Sequence, residues 1–417
     1  MKEILATLFT TRSWVVSQIL VIFTEITISF LAITLLKNNT EEKYIILMFA
    51  LIYLFNFILL KYFRYIIFKY KYYTSVFLTL ISSLSFINFI ITNNIYMQYL
   101  SMFISVASIM TLKDVYLPTS ISGLQINSKN RNISSQKVIA GGMSFGLISI
   151  PVFISLFGVV KDFSVDLYYI FLSISLLLTM FLFNKRVVLP IDLKENNINI
   201  PYKVYCLCFL SLIVNMSSFI IMRFLFPIAI LYFSQIYGIE SNVYSFLGAV
   251  IALVSLITLA SKKFSTKDIN NTKLILVGYG ICIFTLSIIS VVAFLLKDNN
   301  LFAINNINII FGVFVISYLI NQIFARLWTI GFLEHMKKIA YLDSNKHDYY
   351  KVDDINRVYL HLFLIFKSIG GFLGFSIVFI ITLFSMSIFI GNMIMLFLCL
   401  IYWLIYIFSS KMRYINI

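Results

Sequence analysis

Ionisable side chains inside long apolar runs are the residues of this sequence most able to do chemistry. Six residues meet this description: Glu25, Lys113, Asp114, Arg223, Arg326 and Lys367. A charge at the centre of a membrane-spanning helix costs about 2.5–3.5 kcal/mol on insertion scales, so such residues normally face a cavity or one another. Four of the six are basic and two are acidic, so pairing within the set leaves a surplus of two positive charges. The pattern therefore indicates a site for an anionic group that enters and leaves.

Arg223 is the clearest member of this set, because it lies in the middle of the apolar stretch SSFIIMRFLFPIAILYF, residues 217–233. A guanidinium binds phosphate or carboxylate through two parallel hydrogen bonds. Polar neighbours mark the same helix face near Arg326, where Gln322 precedes it by four residues and Thr329 follows by three. The alternative is a purely structural role, in which Glu25 and Arg223 form an internal ion pair. Backbone carbonyls and water could also compensate the bases.

The composition places these charges in a membrane protein. The chain has 417 residues, of which 61% are apolar and 12% are charged, and its mean hydropathy is +0.96. Soluble proteins carry roughly 25% charged residues. Many of the apolar blocks reach the length of about 20 residues that spans a bilayer. We therefore predict an all-α polytopic membrane protein with twelve transmembrane helices, numbered here as spans 1 to 12. They lie near 14–36, 44–60, 74–92, 96–117, 137–160, 167–183, 204–233, 242–260, 274–296, 305–333, 358–385 and 388–408.

The positive charges predict the orientation of these spans. When the even-numbered connections and both termini are assigned to one side, that side holds 24 of the 32 Lys and Arg residues and the other side holds four. Positive charge marks the cytoplasmic side. We therefore expect both termini to face the cytoplasm and the protein to be a multi-pass protein of a bacterial cytoplasmic (inner) membrane. The net charge of +15 is a topology signal, and nucleic acid is not an expected partner.

A polar stretch near the middle of the chain predicts the domain organisation. NKRVVLPIDLKENNINIPYK, residues 184–203, separates six spans from six. We predict an N-terminal six-helix bundle over 1–190, a cytoplasmic linker over 191–203 and a C-terminal six-helix bundle over 204–417. The paired glycines Gly142 with Gly146 and Gly370 with Gly374 have the spacing that lets helices approach closely.

Two six-helix halves joined by a cytoplasmic linker resemble the major facilitator superfamily of secondary transporters. The resemblance implies that spans 1, 4, 7 and 10 line a central cavity, with substrate bound near the middle of the membrane. Five of the six charged residues map onto those four spans, and Lys367 in span 11 is the exception. Glu25 and Arg223 then occupy equivalent helices of the two halves, as do Lys113 and Arg326.

Three stretches are similar to the bacterial lysophospholipid transporters, a flippase branch of that superfamily. They are SQILVIFTEITISFLAITLLK at 17–37, Arg-Phe-Leu at 223–225 followed by a proline, and TLKDVYLPTSISGLQINSKNRNISSQKVIAGG at 111–142. The resemblance implies that Glu25, Lys113 and Arg223 contact the lipid head group or a gating network. This chain departs from the branch in having Glu25 in place of an aspartate and Lys367 near the place of an acid. It also lacks the glycine and aspartate of the usual loop between spans 2 and 3.

The expected function is transport of an anionic amphiphilic or small organic substrate by alternating access. The favoured hypothesis is the flipping of a lysophospholipid across the inner membrane. The alternatives are a proton-coupled exporter of a drug or siderophore, with Glu25 or Asp114 as the titrating carboxylate, and an importer of an anionic metabolite. A membrane enzyme is disfavoured because the predicted outer loops are short and hold no paired acids. No metal site or cofactor is expected. The expected partners are membrane lipids, the substrate and, in the second case, protons; a monomer is the superfamily's default.

Overall fold

The structure is a computed structural model, and it describes residues 12–37, 40–126, 165–183, 200–239, 271–297, 305–344, 352–384 and 387–411, together with four positions between 243 and 250. Within these ranges the regular secondary structure is helical throughout. The helices are α1 (Arg12–Lys37), α2 (Glu42–Tyr62), α3 (Arg64–Lys69), α4 (Lys71–Ile91), α5 (Ile95–Ile126), α6 (Val165–Thr179), α7 (Tyr202–Ile220), α8 (Phe226–Ile236), α9 (Asn271–Lys297), α10 (Ile307–Ser344), α11 (Val352–Leu383) and α12 (Ile388–Lys411).

Eight of the described helical segments are long and apolar enough to cross a membrane. They are Glu42–Tyr62, Lys71–Ile91, Ile95–Val115, Tyr202–Ile236, Ile275–Lys297, Ile307–Ala325, Val358–Leu383 and Ile388–Ile407. In a bilayer every backbone N–H and C=O must be bonded within the protein, and a helix does this within one segment. The prediction of an all-helical, multi-pass membrane protein is therefore confirmed. Each of the eight coincides with one of the predicted spans.

The remaining predicted spans are only partly covered. Helix α1 corresponds to span 1, and only its part from Thr27 to Lys37 has the character of a shorter apolar helix. Helix α6 with the 3₁₀ turn Met180–Leu182 corresponds to span 6. Span 5, most of span 8, most of the linker and the pair Gly142 with Gly146 lie outside the described residues, so the count of twelve and the two six-helix halves stay predictions. The last two positions of the predicted linker, Tyr202 and Lys203, already belong to α7.

A π-helical turn interrupts the longest candidate span. It covers Ile221–Leu225 between α7 and α8, and we call it the π turn. Pro227 has no N–H to donate to the carbonyl of Arg223 four residues earlier. The N–H of Phe226 instead donates to the carbonyl of Ile221, five residues back. Turns of this kind are frequent at functional sites, and this one carries Arg223.

The described helices pack in two groups that meet along α2 and α11. Helices α1, α2, α4, α5 and α6 contact one another, and α7 to α12 do the same. The most extensive contact between the groups is α2 against α11, and α1 also packs on the π turn and α8. At the predicted outer end, the Lys297 ammonium forms an ion pair with the Glu42 carboxylate. These contacts bring the N-terminal and C-terminal parts of the chain together.

The contact between α11 and α7 depends on two glycines. A Cβ at Gly370 would lie 2.4 Å from the carbonyl oxygen of Leu212, and a Cβ at Gly374 would lie 2.2 Å from that of Met216. Only residues without a side chain fit there, because the backbones of the two helices are in direct contact. Gly370 and Gly374 therefore do the packing that their spacing predicted, and they fix how α11 lies against the helix that leads to Arg223.

Candidate functional site

Two of the predicted charged residues meet at one aromatic ring. The Arg223 Cζ lies 5.9 Å from the centroid of the Phe219 ring, and the Lys367 Nζ lies 5.6 Å from the same centroid. Phe219 is one helical turn before Arg223 on α7, and Lys367 comes from α11. An aromatic face attracts cations, by about 0.5–1 kcal/mol at exposed sites and about 2 kcal/mol or more where water is excluded. Arg223 and Phe219 are both buried, each 7% exposed, so the ring helps to hold two positive charges at one place.

Tyr53 of α2 positions this ring from the other group of helices. It stacks on Phe219 with ring centroids 4.8 Å apart and planes 18° apart. Its place depends on Gly371, because a Cβ at that position would lie 2.5 Å from the Cδ1 of Tyr53. Gly371 and Lys367 are four residues apart and so share a face of α11. The stacked Tyr53 and Phe219 rings therefore lie between the face of α11 that carries Lys367 and the π turn that carries Arg223.

A buried hydrogen-bond network lies one turn further along α2, centred on Asn56. Its Nδ2 donates to the Asp114 Oδ2 and to the Ser368 Oγ, both at 2.9 Å. Its Oδ1 accepts from the Thr111 Oγ1 at 3.0 Å. All four residues are almost completely buried, and they come from three helices: α2, α5 and α11. Buried polar groups are costly unless they are bonded, so Asn56 ties these helices to one another.

Lys113 and Asp114 form a buried ion pair at the edge of this network. The Lys113 Nζ lies 3.4 Å from the Asp114 Oδ1, and the two residues are 6% and 2% exposed. The other carboxylate oxygen of Asp114 accepts the hydrogen bond from Asn56. The carboxylate is thus held by one cation and one amide. We call the set Tyr53, Asn56, Lys113, Asp114, Phe219, Arg223, Lys367 and Ser368 the α2–α11 site.

The other predicted site residues lie in helices around this site. Glu25 is within α1, which packs on the π turn, but its side chain is outside the described residues. The Arg326 side chain, in α10, is also outside them. Gln322 is partly exposed on α10, next to Asn321, whose amide donates to the Thr285 Oγ1 at 3.0 Å. Of the seven predicted residues, the described structure brings together Lys113, Asp114, Arg223 and Lys367.

Several residues of the site were missed by reasoning from the sequence. Asn56 carried a signal, since it is a lone amide in the run LIYLFNFILL of span 2. Ser368 gave a weaker one through its position next to Lys367. Tyr53 and Phe219 gave none, because aromatic residues are abundant along the chain. Span 11 was not expected to line the cavity, yet Lys367 and Ser368 both come from it.

The chemistry of the site is that of charge and hydrogen bonding. Three of its four ionisable residues are basic, which suits an anion. Groups of three or more His, Cys, Asp or Glu able to hold a metal ion are not found in the described part of the chain. The described cysteines are free and lie in apolar surroundings. An anion that reached the Phe219 ring would meet a planar guanidinium and an ammonium, with hydroxyl and amide groups one helical turn away.

No protein-family profile matches the chain, and no curated protein matches it at a significant level.

Proposed function

We propose that this protein is a secondary membrane transporter of the major facilitator type, which moves an anionic amphiphile across the membrane by alternating access. The favoured substrate is a lysophospholipid. The observation that carries the proposal is a pair of cations, the buried Arg223 and the half-buried Lys367, at the Phe219 ring between the two groups of helices. Placing a charge inside a membrane-spanning helix costs free energy, and a bound anion would offset that cost.

The net charge of the membrane interior supports an anionic substrate. The six ionisable residues of the predicted spans sum to +2 however they pair with one another. Arg223 and Lys367 come from different helices, so a phosphate bound between them would be held from two sides. A guanidinium offers it a fork of two parallel hydrogen bonds, and an ammonium offers a point charge. Lys367 therefore belongs with the anion site, although the resemblance implied an acid and a gating role near that position.

The position of the site supports alternating access. Such transporters bind substrate between two halves that move against each other around a fixed site. Tyr53 and Asn56 belong to the N-terminal group of helices, while Phe219 and Lys367 belong to the C-terminal group. An anion at the Phe219 ring would change the contacts that both groups make. The single acyl chain of a lysophospholipid would need an apolar path to this point, and the exposed face of α2 is apolar.

The proposal is tested by lysophospholipid translocation in proteoliposomes. The wild type is compared with Arg223→Ala, Arg223→Lys and Lys367→Ala at matched incorporation. We expect Arg223→Ala to lower the rate at least tenfold, because it removes both parallel hydrogen bonds to the phosphate. Arg223→Lys should restore only part of the rate, since a point charge replaces the fork. Lys61→Ala is the matched control, because Lys61 is an exposed base at the end of α2.

Two results would overturn the proposal at different levels. A fully active Arg223→Ala variant would remove the arginine from substrate binding. A well-folded wild type that moves no lysophospholipid would remove that substrate, and other organic anions would be tested next with the same variants.

A second candidate function is a proton-coupled exporter of a small organic molecule. Asp114 favours it, because its Oδ1 accepts no hydrogen bond within the described residues and is held by the Lys113 ammonium at 3.4 Å. In this candidate Asp114 is the carboxylate through which transport is coupled to protons. Transport that depends on the proton gradient in the wild type, but not in Asp114→Asn, would support this candidate. Transport indifferent to the gradient in both proteins would exclude it.

A further inference from the structure

An apolar cavity lies between α2 and α5, and no residue of the α2–α11 site lines it. Its volume is about 890 Å³ and its lining is mostly aliphatic and aromatic. Pockets that hold organic ligands measure about 300–1,000 Å³. Its walls include Leu51 and Phe55 of α2 and Leu100 of α5, which are 44%, 37% and 51% exposed. We call this cavity the α2–α5 groove; it opens on the outside of the helix bundle, where lipid is the solvent.

The groove runs along one leaflet of the membrane. Its lining on α2 extends from Tyr44 to Ile58, which is about 21 Å at a rise of about 1.5 Å per residue. Half of the hydrocarbon core measures about 15 Å. The mouth lies at the start of α2, and the Phe55 and Phe103 rings, with centroids 5.8 Å apart, flank the deeper part. Its length and its apolar walls therefore match a single acyl chain.

Polar groups gather at the mouth of the groove. Glu41 and Tyr44 line it, and the Thr40 and Tyr99 hydroxyls are hydrogen-bonded to each other at 2.6 Å. The Lys43 Nζ lies 2.5 Å from a Glu41 carboxylate oxygen and 5.1 Å from the centroid of the Tyr44 ring. An ammonium from the chain itself thus already rests on this carboxylate and this ring. A carboxylate beside an aromatic face is the arrangement that recognises ammonium groups.

We propose that the α2–α5 groove binds a membrane phospholipid whose head group carries an ammonium, with one acyl chain along the groove. Such a head group places a positive ammonium next to a negative phosphate. Glu41 and Lys43 offer the complementary pair, so the lipid ammonium takes the place of the Lys43 ammonium at Glu41 and Tyr44. The Lys43 side chain, which is 36% exposed, then turns to the phosphate. This binding needs no transport activity, so it stands or falls separately from the proposed function.

The experiment uses two photoreactive lipids with identical acyl chains, a phosphatidylethanolamine and a phosphatidylglycerol. The full-length protein in a non-ionic maltoside detergent is labelled through a diazirine on the chain, and mass spectrometry maps the labelled residues. We expect phosphatidylethanolamine to label residues of the groove on α2 and α5 at least fivefold more than phosphatidylglycerol does. Glu41→Gln should bring the two lipids to the same level.

Filling the groove gives an independent readout. Leu51→Trp should lower labelling of the groove at least fivefold. Leu398→Trp is the matched control, since Leu398 on α12 is 42% exposed, and it should leave the labelling unchanged. If Leu51→Trp fails to fold, Leu100→Trp fills the groove from the opposite wall. Equal labelling by the two lipids in the wild type would overturn the proposal, as would labelling spread evenly over the exposed helices or unaffected by a tryptophan in the groove.

Discussion

Helix α11 makes two different contacts, one with α7 and one with α2. Toward α7, Gly370 and Gly374 bring the two backbones together with no side chain between them. Toward α2, the contact consists of side chains: Ser368 bonded to Asn56, and Gly371 under the Tyr53 ring. The first contact is closed and made by backbone, while the second is polar and lies next to the buried Arg223 and the half-buried Lys367.

The difference suggests which contact can change during function. Backbones in direct contact have no alternative arrangement that keeps the helices packed, so we expect α11 and α7 to move as one body. Hydrogen bonds between side chains can exchange partners when a charged ligand arrives, because donors and acceptors find new partners at small displacement. We therefore expect substrate to act on the contact between α11 and α2, and the glycine contact to stay fixed throughout.

The largest effect is expected from Gly374→Ala. Its Cβ would lie 2.2 Å from the Met216 carbonyl oxygen, so the two helices must separate. Overpacking costs typically about 1–3 kcal/mol and occasionally more, and contact with backbone places this variant at or above the upper end. A large drop in the unfolding temperature in detergent is expected. The control is Gly312→Ala, because a Cβ there has no atom within 4 Å. Equal stability of the two variants would show that the α11–α7 contact is not fixed by its glycines.

A smaller but still large effect is expected from Asn56→Leu, which breaks the polar contact on the α2 side. It removes the amide partner that Asp114, Ser368 and Thr111 share while leaving them buried. Among the described residues, only the Lys113 ammonium then stays on Asp114 and only the Ala107 carbonyl on Thr111. Each buried group left without a partner costs about 1–3 kcal/mol, and more if it is charged. Thermal unfolding measures the loss, with Asn88→Leu as the control because Asn88 is exposed and makes one side-chain bond, to Ser101. If Asn56→Leu were as stable as the wild type, the network would not hold α2 to α11.

Gly371→Ala tests whether the contact between α11 and α2 serves transport apart from its contribution to the stability of the protein. The new Cβ meets the Tyr53 ring rather than backbone, and a side chain can turn away at a cost near the lower end of about 1–3 kcal/mol. Tyr53 would then leave Phe219, and the Arg223 and Lys367 cations would lose their common support. We expect lysophospholipid translocation to fall about tenfold with a smaller loss of stability than in Gly374→Ala. Unchanged transport with a displaced Tyr53 would remove the stack from the site.

The smallest effect is expected at His335, which lies on α10 beyond the membrane-spanning part Ile307–Ala325. Burial, followed by the nearby Lys338 and Lys203 charges, holds the pKa of His335 below its ordinary value of 6.5. The unfolded chain therefore takes up a proton first, so stability is fully present above about pH 6.5 and falls as the pH drops below it. Unfolding temperatures at pH 7.5 and 5.5 test this, and His335→Gln should reduce the difference. Lys203 is the second residue of α7, so this measurement also reports on the N-terminal end of the helix that packs against α11.

The sequence predicted the elements well and the site in part. Long apolar runs predicted the eight membrane-length helices, because a bilayer admits few other structures. The cost of intramembrane charge singled out Lys113, Asp114, Arg223 and Lys367. The structure pairs Lys113 with Asp114 and sets Arg223 and Lys367 at one ring, and their role in function stays a prediction. The same reasoning passed over Asn56, a single amide within the apolar run of span 2. It also passed over Tyr53 and Phe219, since nothing in an apolar run tells which ring will face a cation.

Local chemistry along the chain determined where the helices lie and which residues carry charge in the membrane. It also determined where Pro227 interrupts span 7 with the π turn. The tertiary structure decided which helix faces meet. Gly370 and Gly374 bring α11 onto α7, and that approach places Lys367 at the ring that also holds Arg223. Helical periodicity gives a residue its face but not its neighbour. The neighbour depends on how close two backbones can come, which is a property of both helices at once.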